Sequence, residues 1–208
     1  MEAVTGPLVE WGVAGLPAKG QRQSGDRYLV QPLAKGVLLA VVDGLGHGPE
    51  AAAAAEVAIR TLQGHAVEPG ISLVGRCHER TRETRGVVIG LASIDGVRGT
   101  LTWLGVGNVE GLLISPADRQ GPRRQTLVSR PGIVGARLPP LAASVVPLTP
   151  GDLVIFATDG IRCDSGWQVI LTDPPQRIAD RILAAYSKET DDALVLVSRY
   201  LGGGALSG

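Results

Sequence analysis

Aromatic residues are scarce in this chain: one phenylalanine, three tyrosines and three tryptophans among 208 residues. A core must therefore be built from Val, Leu, Ile and Ala, which suits half-buried strands and alanine-faced helices. Cysteine is nearly absent. Cys77 and Cys163 are too few for a disulfide framework, and without a CxxC or Cys/His cluster they read as reduced structural thiols rather than zinc ligands. Excess charge of either sign is missing too, with Lys+Arg and Asp+Glu at 20 each. No basic field exists to hold nucleic acid or an anionic membrane. No apolar run reaches the roughly 18–20 residues of a membrane span. The opening "MEAVTGPLVEWG" has no positive region followed by a long apolar stretch, so it does not read as a secretion signal. The expectation is a cytoplasmic protein with no nucleic-acid or membrane partner.

What is present is 44% hydrophobic and 19% charged residues, a globular composition on a chain long enough to bury its own core. One domain over 1–200 and a flexible tail over 201–208 are expected. Strand-like runs fall at 8–14, 27–33, 36–43, 86–95, 99–107, 109–115, 123–130, 143–148, 152–158 and 192–201. "IDGVRG" between two of them reads as a hairpin connection. Helical patterns run from Pro49 to His65, from Ile71 to Thr84 and from about Pro174 to Glu189. Pro49 stands at the first helical position, a start signal. The last helix gathers Ile178, Ile182, Leu183 and Tyr186, with Ala179 and Ala185, on one face. Strands in hairpin runs, with helices inserted as a pair and then singly, do not fit a parallel doubly wound sheet. They fit an α+β, four-layer α-β-β-α sandwich of two antiparallel sheets flanked by helices.

The apolar run "VLLAVV" ends on a charge, Asp43, and passes through "GLGHG" into an alanine-rich helix. Three comparable junctions follow the same logic: Asp26 before a strand in "SGDRYLV", Asp159 closing "LVIFATDG", and Asp191-Asp192 opening "DALVLV". Carboxylates gathered at strand ends repel one another, and burying them unpaired costs several kcal/mol each in rough terms. No lysine or arginine adjoins Asp43 or Asp159 in sequence, so a divalent cation is the cheapest compensator. An all-oxygen set without thiolates or an imidazole pair favours Mg²⁺ or Mn²⁺ over zinc. Gly44, lacking a Cβ, lets its carbonyl turn toward the same ion. Each junction taken alone also reads as an ordinary Asp-Gly turn; their conjunction is what points to a site. Other glycine-loop chemistries fit less well. The spacing is Gly44-x-Gly46-x-Gly48 rather than GxGxxG, "GK[ST]" is absent, and Leu45 stands where a haloacid-type phosphatase needs its second Asp.

"SGDRYLV", "VVDGLGHGPEAA", "GVVIGLASID", "LGVGNVEGLLI", "ATDGI" and "TDDALVLV" follow in the order found in metal-dependent protein phosphatases of the type-2C (PPM) family. The chain resembles that family from about Val9 to Tyr200, most closely the bacterial branch of SpoIIE, RsbU and RsbX. "GVGNVEG" is similar to the RsbX-like stressosome phosphatases within it. The resemblance implies two Mn²⁺ or Mg²⁺ ions per chain. It further implies hydrolysis of phosphoserine or phosphothreonine on STAS-domain regulators of a stressosome-type pathway, by a metal-activated water without a phospho-enzyme. By the same resemblance Asp43 bridges both metals, the carbonyl of Gly44 binds one, and Asp159 and Asp191 complete the other. Asp192 is the alternative to Asp191, and Asp26 lies in the shell of the second metal. His47, in the glycine loop, is a candidate to protonate the leaving oxygen or to steady the loop. The arginine that eukaryotic members use to hold phosphate has no clean equivalent among Lys19 and Arg22. The competing expectation is a non-catalytic pseudophosphatase of the same fold, acting by interaction alone.

Overall fold

The computed structural model describes residues 7–118, 121–162 and 166–203. Cys163 and residues 204–208 of the expected tail lie outside them. Among the described residues, ten strands and three helices appear in the order β1 (Val9–Leu16), β2 (Asp26–Leu33), β3 (Gly36–Gly44), α1 (Pro49–Gly64), α2 (Gly70–Thr81), β4 (Val87–Asp95), β5 (Thr100–Val106) and β6 (Glu110–Asp118). They continue with β7 (Gly121–Leu127), β8 (Ser144–Pro147), β9 (Leu153–Ala157), α3 (Pro175–Tyr186) and β10 (Ala193–Tyr200). Two five-stranded sheets result, one ordered β1-β10-β9-β6-β7 and the other β2-β3-β4-β5-β8. Every pairing between named strands is antiparallel. The expected "IDGVRG" hairpin joins β4 to β5, with Asp95 Oδ1 accepting from the amides of Val97 and Arg98.

Helices α1 and α2 cover the second sheet and α3 packs on β1 and β10 of the first, which makes the α+β sandwich four layers deep. Covering both faces of each sheet explains why its central strands are apolar throughout. On β3, Val37, Leu39 and Val41 face the space between the sheets, while Leu38, Ala40 and Val42 face α1 and α2. On β10, Leu194 and Leu196 face between the sheets, and Val195 and Val197 meet Ile178 and Ile182 of α3. The few aromatics are placed with economy. Trp103 of β5 and Phe156 of β9 meet across the two sheets with ring centroids 5.2 Å apart, a tilted pairing that adds about 0.5–1.5 kcal/mol to their area burial.

Alanine governs the close approach of α1. Ala51, Ala52, Ala54, Ala55 and Ala58 are all buried, and the Cys77 thiol of α2 reaches the Ala58 carbonyl at 3.7 Å. Burial pushes that thiol up to about 12, so Cys77 behaves as a packing residue, as expected for a structural cysteine. On α3, Ile178, Ala179 and Ile182 are buried, whereas Ala185 is exposed. The sequence pattern had placed Ala185 on the inner face, but the packed stripe has turned away by that position. Leu201 is tied by its amide to the Leu8 carbonyl. Among the described residues, no helix is long and apolar enough to cross a membrane.

Candidate metal centre

The two sheets bring their acids together at one end of the sandwich. In the second sheet Asp26 and Asp43 are direct partners across the β2–β3 register. In the first, β9 and β10 run antiparallel, so Asp159, just past the end of β9, returns beside Asp191 and Asp192, just before β10 begins. Asp43, Asp159 and Asp191 line one cavity of about 570 Å³, walled by Leu45, Val88, Pro131 and Ile133. The four strand-end junctions found in the sequence thus share one end of the fold, and three of their carboxylates share one cavity.

Asp26 sits behind that cavity rather than in its lining. It is 4% exposed. Its Oδ2 accepts a 2.7 Å hydrogen bond from Thr158 Oγ1, which in turn accepts from the Leu194 amide at 2.9 Å. Among the described residues its Oδ1 is buried without a partner. An orphaned carboxylate oxygen at such depth is costly, and the electrostatics show it. Burial first, then the charges of Asp26 and Asp159, push Asp43 up to about 9. Burial pushes Asp26 up to about 7, opposed by the Thr158 hydrogen bond and helped by Asp192. Asp159 is raised by burial and by Asp191, with Lys188 and Asn108 pulling the other way.

Asp191 and Asp192 have separate roles. Both oxygens of Asp192 are engaged by backbone amides, Oδ1 by Ala18 and Oδ2 by Gly25, each at 2.7 Å. Asp192 therefore ties the segment before β2 to the start of β10. Asp191 instead presents its side chain to the cavity, with Oδ1 accepting from the Asp192 amide. His47 is exposed on the outer turn of the glycine loop and is not among the residues lining the cavity.

Three contributors were not visible in the sequence. Asn108, in "GVGNVEG", donates to Asp159 Oδ2 at 2.6 Å. Lys188 brings its ammonium onto the Asp159 carbonyl at 2.6 Å, so a lysine does adjoin this aspartate, through space rather than sequence. Thr158 carries the only signal that could have been used, its position immediately before Asp159. Gly44 also has a different reason to be glycine. A Cβ there would stand 2.0 Å from the Ala51 carbonyl oxygen, so the missing side chain lets β3 and α1 touch. Gly160 repeats this against the Asp192 carbonyl at 1.9 Å.

Among the described residues no three His, Cys, Asp or Glu side chains converge into a preformed cage. The donors are nevertheless those of a hard divalent cation, being oxygen only, with one buried oxygen unpartnered and carboxyls held above their ordinary range. Mg²⁺ in particular keeps several waters and needs few protein ligands. The residues fit such an ion.

Residues 34–201 match the family described as Stage II sporulation protein E (SpoIIE). The chain belongs to the SpoIIE family. Phosphoserine phosphatase RsbX of Bacillus subtilis (strain 168) is 28% identical over 102 residues, or 49% of this chain. The match spans about half, 51%, of that relative's length. A solved structure from work on the bacterial stressosome as a modular system adapted to control secondary messenger signaling is 30% identical, with a TM-score of 0.82. It covers 92% of this chain and 99% of that one. A crystal structure of RsbX in complex with magnesium superposes with a TM-score of 0.81 at 20% identity, over 96% and 98% of the two chains. The α+β sandwich of this SpoIIE-family chain is therefore the PP2C-like fold.

Proposed function

We propose that this protein is a metal-dependent protein phosphatase that removes phosphate from phosphoserine or phosphothreonine on STAS-domain regulators of a stressosome-type pathway. The observation that carries the reading is the convergence of Asp43, Asp159 and Asp191 on one cavity, with Asp26 behind them and no cationic side chain lining it among the described residues. Similarity to a phosphoserine phosphatase and to a stressosome structure supports the substrate class.

Asp43, the Gly44 carbonyl, Asp159 and Asp191 would hold two Mn²⁺ or Mg²⁺ ions. Two ions bound there supply an activated water and neutralise charge on the phosphoryl oxygens. The remaining work belongs to the chain. Thr158 holds Asp26 Oδ2, while Oδ1 is buried without a partner among the described residues. Asn108 and Lys188 fix the Asp159 carboxylate and carbonyl. The one hydroxyl lining the cavity among the described residues, Ser129, donates to the Val109 carbonyl. With that proton and its rotamer committed, Ser129 is a poor nucleophile, and hydrolysis by water without a phospho-enzyme is the mechanism proposed.

The test is incubation with a phosphorylated STAS-domain protein and Mn²⁺, followed by intact-mass measurement of the substrate. Loss of phosphate that disappears with Asp43→Asn and with Asp159→Asn is expected. Stable association with the phosphoprotein and no loss of phosphate would establish the pseudophosphatase alternative instead.

A further inference from the structure

A cavity lined by Asp43, Asp159 and Asp191 repels the phosphate it is proposed to receive, and among the described residues no lysine or arginine lines it. Most basic groups nearby are committed elsewhere. Lys188 donates to the Asp159 carbonyl, Lys19 pairs with Glu189 on the surface, and Arg27 donates to the carbonyls of Ser24 and Asp26. Arg85 is different. It lies in the connection from α2 to β4, and its Nη1 lies against Gly46, where a Cβ would stand 2.8 Å from it. Gly46 is part of the cavity wall, held at φ 87°. The Leu45 amide donates to the Gly86 carbonyl at 3.1 Å. The backbone next to Arg85 is thus tied to the rim of the cavity, with the guanidinium lying against Gly46.

Its present partner is the Glu50 carboxylate, in the first turn of α1. The two side chains are 50% and 70% exposed, and an ion pair that wet contributes little and exchanges readily. A phosphate monoester brings close to two negative charges near neutral pH and three acceptor oxygens, which a guanidinium fork meets in a bidentate manner. We infer that Arg85 binds the phosphate of the substrate at the cavity rim, releasing Glu50 as it does so. The inference rests on the phosphatase reading above and names the cation that the cavity itself lacks. Arg130 is the natural comparison. It is exposed and stands between the cavity residues Ser129 and Pro131, and its backbone is bonded to Gly105 and Gly107.

The experiment is calorimetric titration of the full chain with inorganic phosphate, with and without Mn²⁺, beside phosphate inhibition of phosphoprotein hydrolysis. Arg85→Gln should weaken phosphate by about tenfold or more, the size of a lost charged hydrogen bond. Arg85→Lys should fall between, since it keeps the charge and loses the fork. Glu50→Gln should tighten phosphate, and Arg130→Gln should stay within about twofold of the parent. Unchanged affinity in Arg85→Gln, or a loss that appears in Arg130→Gln instead, overturns the inference. So does loss of Mn²⁺ binding in Arg85→Gln, because the arginine would then support the metal site rather than the substrate. Arg85-dependent phosphate binding without hydrolysis of any phosphoprotein would sustain the site and refute the phosphatase reading.

Discussion

Asp191 and Asp192 are neighbours in sequence with opposite chemical fates. Replacing Asp192 by Asn removes one of two acceptors that hold the Ala18 and Gly25 amides, leaving a buried donor unpaired at a cost of about 1–3 kcal/mol. Asp192→Asn should therefore melt at lower temperature while binding Mn²⁺ as the parent does. Asp191→Asn removes a negative charge from the crowded cavity. Its metal-free form should melt no lower than the parent, and its Mn²⁺ affinity should collapse. Thermal denaturation paired with Mn²⁺ calorimetry separates the two; a swapped pattern would assign the ligand to Asp192. Asp191 lines the cavity, and it is the acid of the pair that the family resemblance prefers as ligand. Why Asp192 is needed at all was hidden, because its partners lie 174 and 167 residues away.

At the scale of elements, strand ends and helix starts meet through missing side chains. Gly44→Ala would drive a Cβ into the Ala51 carbonyl, a backbone atom that cannot rotate aside. A loss of about 2–4 kcal/mol, or roughly 10 °C in melting temperature, is expected. Hydrogen exchange of the α1 amides would show the helix lifted from β3, whereas an unperturbed α1 would show that the contact is not limiting. The strands were legible because both sheets are covered on both faces, which leaves runs such as "VLLAVV" apolar from end to end. The alanine stripe of α1 was legible for the same reason. Helix ends were less so: α2 closes at Thr81 rather than Thr84, where Thr84 turns its hydroxyl back onto the Thr81 carbonyl. Gly44 carries a packing demand that the sequence does not show, the contact of a strand with a helix, beside the carbonyl expected to meet an ion.

For the whole molecule, the acids set a pH dependence whose sign follows from their environment. Asp26 and Asp43 are raised in the folded chain to about 7 and about 9, against an ordinary 3.8 in the unfolded one. Between those values the folded state holds protons that the unfolded state has released. The stability these groups confer is therefore full below about pH 4 and is lost as pH rises through about 7 and then about 9. In EDTA the melting temperature should fall across that range, and Asp43→Asn should fall less. Mn²⁺ should flatten the decline by replacing protons as the neutralising charge. An identical slope in Asp43→Asn would remove Asp43 from the account. That the four junctions share one end of the fold could be argued from sequence, because acids at strand ends need a common counter-charge. The contributions of Asn108, Lys188 and Arg85 could not, since each depends on loops whose paths only packing decides.

The central claim, that carboxylates from both sheets hold divalent ions, is tested most directly by titrating the metal-free chain with Mn²⁺ in a calorimeter. Two ions per chain are expected for the parent, with binding lost in Asp43→Asn. Equal binding by parent and variant, or none by either, would contradict it.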